Sequence, residues 1–257
     1  MNIEENSELS KLTLVMPTYG RQKHVIRNIA YWSNTGVVLI VLDASPIPIK
    51  SERLKSFGKN IIYIHDTSHY NERVFNSFSK IKSKYTQLIC DDEFYPISAA
   101  ISVIKDLEKN DDVMSCIGIC LGFEVDKKSK KIFSKRTYKR LIENYNYTMI
   151  SDPIERVENY LINYEPFLMY SMIRTEIWKK AFELPFKFLK KQKDKKNKFN
   201  FFSSDEIQIN MYLAFAGKSK IIRELYWLRS FGEHLTVREM YKNHEPEPKF
   251  TFQDWWN

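Results

Sequence analysis

The chain is poor in the residues that build phosphate cradles and disulfide frameworks. Only seven glycines are spread over 257 residues, so tight turns must draw on Asn, Asp and Pro. There is no Walker-type phosphate loop. Ala216-Gly-Lys-Ser219 has its ending, but Tyr212 stands where the first glycine is required, and the stretch follows a helical pattern where it should open one. The Gly-x-Gly-x-x-Gly dinucleotide fingerprint and the His-Glu-x-x-His and Cys-x-x-Cys metal patterns are missing as well. Three cysteines, Cys90, Cys116 and Cys120, are too few and of the wrong parity for a disulfide framework. Each lies in an apolar stretch and reads as a small buried hydrophobe, which points to a reducing, cytoplasmic setting. The longest apolar run, Val37–Leu42, is far short of the roughly 20 residues of a membrane helix. The opening MNIEENSELSK is acidic and polar, unlike a secretory leader.

What is present is an ordinary globular composition, 43% apolar and 28% charged, with a net charge of +8. The surplus is local. Residues 127–140 carry eight basic residues and no acidic one, and residues 187–198 carry seven basic and one acidic; the remainder holds 25 basic and 31 acidic residues. A mildly acidic body with two basic segments does not match a nucleic-acid binder. The segments read either as two solvated loops or as local attractors for phosphate, an acidic glycan or an anionic membrane face.

Strand and helix signals alternate through the first hundred residues. Strands are expected at Leu12–Pro17, Val37–Leu42, Asn60–His65 and Tyr85–Cys90, and helices at 22–33, 50–57, 71–83 and from Pro96 to about Lys109. Val25, Ile26, Ile29 and Trp32 share one helical face. This order predicts an α/β fold with a largely parallel sheet and right-handed crossovers. Such sheets bind ligands beyond the C-terminal strand ends. Pro17–Arg21, Asp43–Ser45, His65–Thr67 and Asp91–Glu93 fall there and converge on one edge. The second half is less regular. Strands are expected at Asp112–Phe123, Phe167–Arg174 and Ile221–Leu228, and helices near 154–163, at 176–183 with Thr175 as N-cap, and at 205–216 with Gly217 as C-cap. The expected layout is a flexible terminus at 1–10, a ligand-binding half at 11–110, a second half at 111–235 and a tail at 236–257, with Trp32, Trp178 and Trp227 in the core and Trp255-Trp256 anchoring the tail.

The acidic triplet Asp91-Asp92-Glu93 is the most informative feature. Three consecutive carboxylates repel one another, and a divalent cation at a ligand-facing strand end would neutralise them. Oxygen donors of this kind suit Mg²⁺ or Mn²⁺ holding a diphosphate. In an extended segment Asp91 and Glu93 face one way and Asp92 the other, so Asp91 and Glu93 would share the ion. The bland alternative is negative charge ahead of the helix that Pro96 opens.

With these residues in view, the chain resembles the inverting GT-A glycosyltransferases of family two, of the bacterial surface-glycan type. Leu12–Arg21 (LTLVMPTYGR) is similar to their opening strand and Pro-Thr-Tyr-Asn-Arg. Val41-Leu-Asp-Ala-Ser45 is similar to their Val-Asp-Asp-Gly-Ser turn, and Asp91-Asp92-Glu93 stands in their Asp-x-Asp position, 15 residues after Asn76. Asp205-Glu206, followed by Gly217, is similar to their Glu-Asp pair and downstream Ala-Gly in reversed order. The resemblance implies a GT-A fold, Rossmann-like and single-domain, and a metal-dependent transfer of sugar from a nucleotide-diphosphate donor to a glycan or lipid-linked acceptor with inversion. It implies that Pro17, Thr18, Tyr19, Arg21, Asp43, Asp91 and Asp92 line the nucleotide sugar, and that Asp91 and Glu93 hold Mn²⁺ or Mg²⁺. Asn76 belongs to the donor site by the same spacing. Either Asp205 or Glu206 serves as general base, although Ser203-x-x-Glu206 also reads as a helix capping box. Arg73, one turn before Asn76, could reach a phosphate. Arg229 could meet the diphosphate and His234 the metal, and His65 could face the pocket. The competing readings are a metal-dependent nuclease or nucleotidyltransferase using the same carboxylates, and a sugar-nucleotide-binding protein without transfer.

Overall fold

A computed structural model of the chain describes residues 3–125, 128–129, 131–136, 146–192 and 202–230. The four early apolar runs form β1 (Leu12–Thr18), β2 (Val38–Asp43), β3 (Ile61–His65) and β4 (Tyr85–Leu88). Helices α2 (Gln22–Trp32), α3 (Ser51–Leu54) and α4 (Tyr70–Ser77) connect them, and α1 (Ile3–Leu9) precedes β1. The stretch expected as a flexible terminus thus contains a helix, whose Leu9 is fully buried. β1 pairs in parallel with both β2 and β4, and β2 with β3, as expected. β1 and β2 are buried on both faces, which is why they read as continuous apolar runs.

The second half supplies α5 (Ile97–Lys109), β5 (Val113–Val125), β6 (Ile132–Arg136), α6 (Pro153–Ile162), β7 (Met172–Arg174), α7 (Thr175–Gln192), α8 (Phe202–Ala216) and β8 (Lys218–Ser230). All eight strands form one sheet, ordered β3-β2-β1-β4-β7-β5-β6, with β8 alongside β5. β7 runs antiparallel to β4 and β5, β6 runs antiparallel to β5, and β8 is parallel to β5. The chain therefore steps outward from β1 to β2 and β3, then returns to the other side of β1 as β4. That reversal is a switch point, where the strand ends open a crevice.

Several local expectations are corrected. The strand expected over Phe167–Arg174 is a 3-10 turn at Leu168–Tyr170 followed by the short β7. Thr175 does not cap α7; its hydroxyl donates to the Ser83 carbonyl at 2.8 Å and meets Thr86 Oγ1 at 2.8 Å, tying α7 to β4. α7 runs on through Pro185 well past residue 183. Gly217 is not a left-handed cap, since Gly20 is the glycine with positive φ. A Cβ at Gly217 would lie 2.9 Å from Met114 Cβ, so close packing requires the glycine. Scarce glycine does pass one turn to asparagine, because Asn34 holds φ 60°. Trp32, Trp178 and Trp227 are core residues, and Cys116 and Cys120 are fully buried free thiols. No helix among the described residues is long and apolar enough to cross a membrane.

Candidate functional site

The site grows from the C-terminal ends of β1, β2 and β4. β4 ends at Leu88, and the Glu93 amide closes a turn on the Cys90 carbonyl at 3.4 Å. The triplet therefore lies on a turn, and the alternation expected of an extended segment does not apply. Asp91 turns toward β1. Its Oδ2 accepts the Thr18 hydroxyl at 2.6 Å and its Oδ1 pairs with Arg21 at 2.9 Å. The second terminal nitrogen of Arg21 reaches Asp92 Oδ2 at 2.7 Å. The Asp91 carbonyl accepts Asn28 Nδ2 at 2.6 Å and Arg27 at 3.2 Å, so α2 fastens the turn. All three carboxylates are almost fully buried.

That burial sets the electrostatics. It pushes the Asp91 carboxyl above its ordinary value against the Thr18 hydrogen bond and the Arg21 charge. It pushes Glu93 up to about 7, against the pull of Arg229 and with Asp92 adding to the rise. Arg229 Nε lies 3.5 Å from Glu93 Oε1, and the Tyr95 hydroxyl donates to Glu93 Oε2 at 3.3 Å. Cys90 Sγ and one carboxylate oxygen each of Asp92 and Glu93 lie within 4.8 Å of one another. Two buried carboxylates make this donor set fit a divalent cation. The expected pairing of Asp91 with Glu93 is thus replaced by Asp92 with Glu93, because Arg21 and Thr18 hold Asp91 on the other side of the turn.

The second acidic pair arrives on the first turns of α8. Asp205 Oδ2 accepts Asn71 Nδ2 from α4 at 2.7 Å, and Glu206 Oε1 accepts the Tyr164 hydroxyl at 3.1 Å. Burial pushes Asp205 up to about 6, with the Asn71 hydrogen bond opposing. Burial also raises Glu206, with Tyr164 and Arg229 opposing. Arg229 therefore acts electrostatically on Glu93 and Glu206 together, linking the β4 turn to α8 through the end of β8.

Asp43 is fully buried at the end of β2. Its Oδ1 accepts the Ser45 amide and hydroxyl at 2.8 and 2.5 Å, and its Oδ2 accepts the Tyr63 hydroxyl at 2.5 Å. The Ser45 hydroxyl in turn receives the Gly20 amide at 2.8 Å. This network joins the loops after β1 and β2 into one rim, with Pro17 half-buried and Tyr19 46% exposed on it. Gly20 has φ 68°. Asn, the residue of the resembling motif, tolerates that conformation as Gly does, so the departure leaves the backbone unchanged.

Other expected residues stand elsewhere. Arg73 is buried and donates from Nε and a terminal nitrogen to the carbonyls of Ser68 and Leu42 at 3.1 and 2.7 Å, holding the β3–α4 loop to the end of β2. Asn76 is exposed and is the least of the groups that hold the Asp66 carboxyl below its ordinary value. His65 Nε2 meets the Ser45 carbonyl at 2.7 Å. His234 lies outside the described residues, as do residues 127, 130 and 137–140 of the first basic segment and all of 193–198. Sequence reasoning missed Cys90, Asn71, Asn28 and Tyr164. Asn28 left a signal, a polar residue within the apolar face of α2; Asn71, Cys90 and Tyr164 left none that spacing reveals.

No protein-family profile matches the chain by sequence, and no curated protein does. Solved structures do match. S. aureus TarS 1-349 in complex with UDP-GlcNAc superposes with a TM-score of 0.51 at 10% identity, over 87% of this chain and 59% of that one. The same protein in complex with UDP gives a TM-score of 0.50 at 10% identity, over 90% and 62%. The chain thus spans about three fifths of the length of the TarS chains it matches. At this identity the likeness speaks for the fold alone, and it agrees with the strand order and the crevice beside β1 and β4. The chain has the GT-A glycosyltransferase fold, a mixed and mostly parallel sheet flanked by helices in a single domain.

Proposed function

We propose that this chain transfers a sugar from a nucleoside-diphosphate donor to a hydroxyl of a glycan or lipid-linked acceptor, with inversion at the anomeric carbon. One observation carries the reading: acidic groups from distant parts of the chain share one cation at the switch point of a GT-A sheet, Arg229 pairing with Glu93 at 3.5 Å and acting electrostatically on Glu206. TarS holds UDP-GlcNAc in its matching structure, which makes a UDP-sugar the first donor to test.

In this reading the half at 11–110 binds the donor and the half at 111–235 receives the acceptor. The rim of Pro17, Thr18, Tyr19, Asp43 and Ser45 lies where the nucleoside binds. Asp92 and Glu93 would hold Mn²⁺ or Mg²⁺, which would supply charge stabilisation for the leaving diphosphate. Arg229 adds a fixed positive charge beside it. Asp205 takes the proton of the acceptor hydroxyl as that oxygen attacks. A carboxyl pushed up to about 6 remains ionised at neutral pH and is a stronger base than an ordinary aspartate. Asn71 fixes which oxygen faces away from the acceptor. With one carboxylate activating the acceptor hydroxyl, the transfer is a single displacement, hence inversion. The basic segments 127–140 and 187–198 draw an anionic acceptor or membrane face toward the second half, at the cytoplasmic side of the membrane.

The test is thermal denaturation with UDP, GDP and CDP, each with and without Mn²⁺, followed by assay of UDP release from UDP-sugars. A ligand that binds only the folded chain raises the midpoint by mass action. The expected result is a metal-dependent rise with one nucleotide, lost in Glu93→Gln. No shift at millimolar nucleotide and no nucleotide release from any donor would overturn the proposal.

A further inference from the structure

The feature left over is a thiol. Cys90 follows β4 by two residues, and strand alternation alone would put it on the face opposite Asp91. The turn closed by Glu93 N–H on the Cys90 carbonyl changes this. It folds the segment back so that Cys90 Sγ, an Asp92 oxygen and a Glu93 oxygen gather within 4.8 Å of one another. Asp91 is diverted to Thr18 and Arg21. Donor atoms of one tetrahedral ion at about 2.0–2.3 Å lie about 3.3–3.8 Å apart, so binding draws these three atoms together by up to about 1.5 Å.

We propose that Cys90 is a metal ligand, and that with Asp92 and Glu93 it forms a mixed thiolate and carboxylate site that prefers a borderline divalent cation such as Co²⁺ or Zn²⁺ to Mg²⁺. The inference rests on the metal-dependent reading above and names which donors the ion meets and which ions it selects. The chemistry follows from the donors: Mg²⁺ takes oxygen ligands and avoids sulfur, whereas a thiolate favours softer ions. The charges agree. Three buried carboxylates form ion pairs with two guanidinium groups, Arg21 and Arg229. A thiolate adds to the surplus negative charge at the turn, which a divalent cation offsets. The thiol proton is released to solvent as the sulfur–metal bond forms. Cys116 and Cys120 lie fully buried within β5, leaving Cys90 as the thiol at this turn.

The experiment is anaerobic titration of the full chain with Co²⁺ alone, followed in the near ultraviolet for thiolate-to-cobalt charge transfer and by calorimetry. Mg²⁺ is titrated separately. The wild type is expected to develop the charge-transfer band and to bind Co²⁺ far more tightly than Mg²⁺. Cys90→Ser is expected to lose the band and at least about tenfold in Co²⁺ affinity while Mg²⁺ binding changes little. Cys90→Asp, an all-oxygen set, is expected to lose the band yet gain Mg²⁺ affinity. Co²⁺ binding in the wild type without the band would overturn the role of Cys90 and leave the metal-dependent reading standing. Absence of Co²⁺ and Mg²⁺ binding together would overturn both.

Discussion

Asp205→Asn separates the cost of an ionised buried carboxylate from its use. Asn keeps an oxygen to accept the Asn71 amide, which lies 2.7 Å from Asp205 Oδ2, and keeps the size of the side chain. It removes the charge that burial disfavours. The carboxyl stands at about 6 against an ordinary 3.8, and two units at about 1.36 kcal/mol each amount to roughly 3 kcal/mol. The sign follows from proton binding. Between these two values the folded state holds a proton that the unfolded state has released, so this group's contribution is full below about 4 and is lost as pH rises through about 6. The Asn variant never loses it. It is therefore expected to exceed the wild type by about 0.5 kcal/mol at pH 4 and about 3 kcal/mol at pH 8. The gap at pH 8 corresponds to a midpoint higher by about 6–12 °C for a chain of this size. Activity should move the other way, falling about 10²–10⁴-fold if Asp205 is the base. Thermal denaturation of both proteins from pH 4 to pH 8, with glycosyl transfer measured in parallel, reads both effects. An Asn variant less stable than wild type at pH 8, or a gap that stays constant across the range, would refute the reasoning about burial. Unchanged turnover would move the base to Glu206.

The wild-type kcat/KM is expected to rise with pH and level off above about 6, as Asp205 loses its proton; a profile flat from pH 5 to 8 would count against it. Arg21→Ala leaves Asp91 and Asp92 buried without the ion pairs at 2.9 and 2.7 Å, and urea unfolding should show a loss of about 2–4 kcal/mol. Gly20→Ala should cost about 1–2 kcal/mol through φ 68° alone, since nothing lies within 4 Å of the added Cβ. Gly20→Asn should cost distinctly less, and equal losses would remove backbone conformation as the cause. Gly217→Ala should cost about 1–3 kcal/mol by forcing Met114 aside, with Met114→Ala restoring part of it in the double variant.

Much of the half at 11–110 was legible because β1 and β2 are buried on both faces and so carry a continuous apolar signal, and the early strands are bounded by Pro17, Asp43 and Asp91. The convergence of strand ends followed from topology rules. Two kinds of information were not legible. One was local geometry: β4 stops at Leu88, so the triplet occupies a turn, and period-two reasoning chose Asp91 where the fold presents Asp92. The other was long-range partnership. Asn76 was named by its motif spacing to Asp91, and nothing in spacing reveals that Asn71 meets a carboxylate 134 positions away. Arg73 shows the same limit, since an arginine near a phosphate site and one that ties two loops together look alike in sequence.

The strand β7 is three residues long, and it alone among the described strands joins β4 to β5. Each side of it contributes only two paired positions, Tyr85 with Arg174 and Thr86 with Ile173 on one flank, Ser115 with Ile173 and Cys116 with Met172 on the other. The sheet thus has a seam, reinforced from outside by Arg174, whose guanidinium reaches the carbonyls of Leu107, Asn110 and Val113. Beside the seam, Phe94 and Leu228 exchange amide–carbonyl bonds at 3.0 and 2.8 Å and tie the turn after β4 to β8. Native-state hydrogen exchange offers a direct reading. If the amides of 172–174 exchange only with those of β1, the halves behave as one cooperative body. If they exchange first, the seam is a hinge between β4 and β5 that opens without unfolding either half.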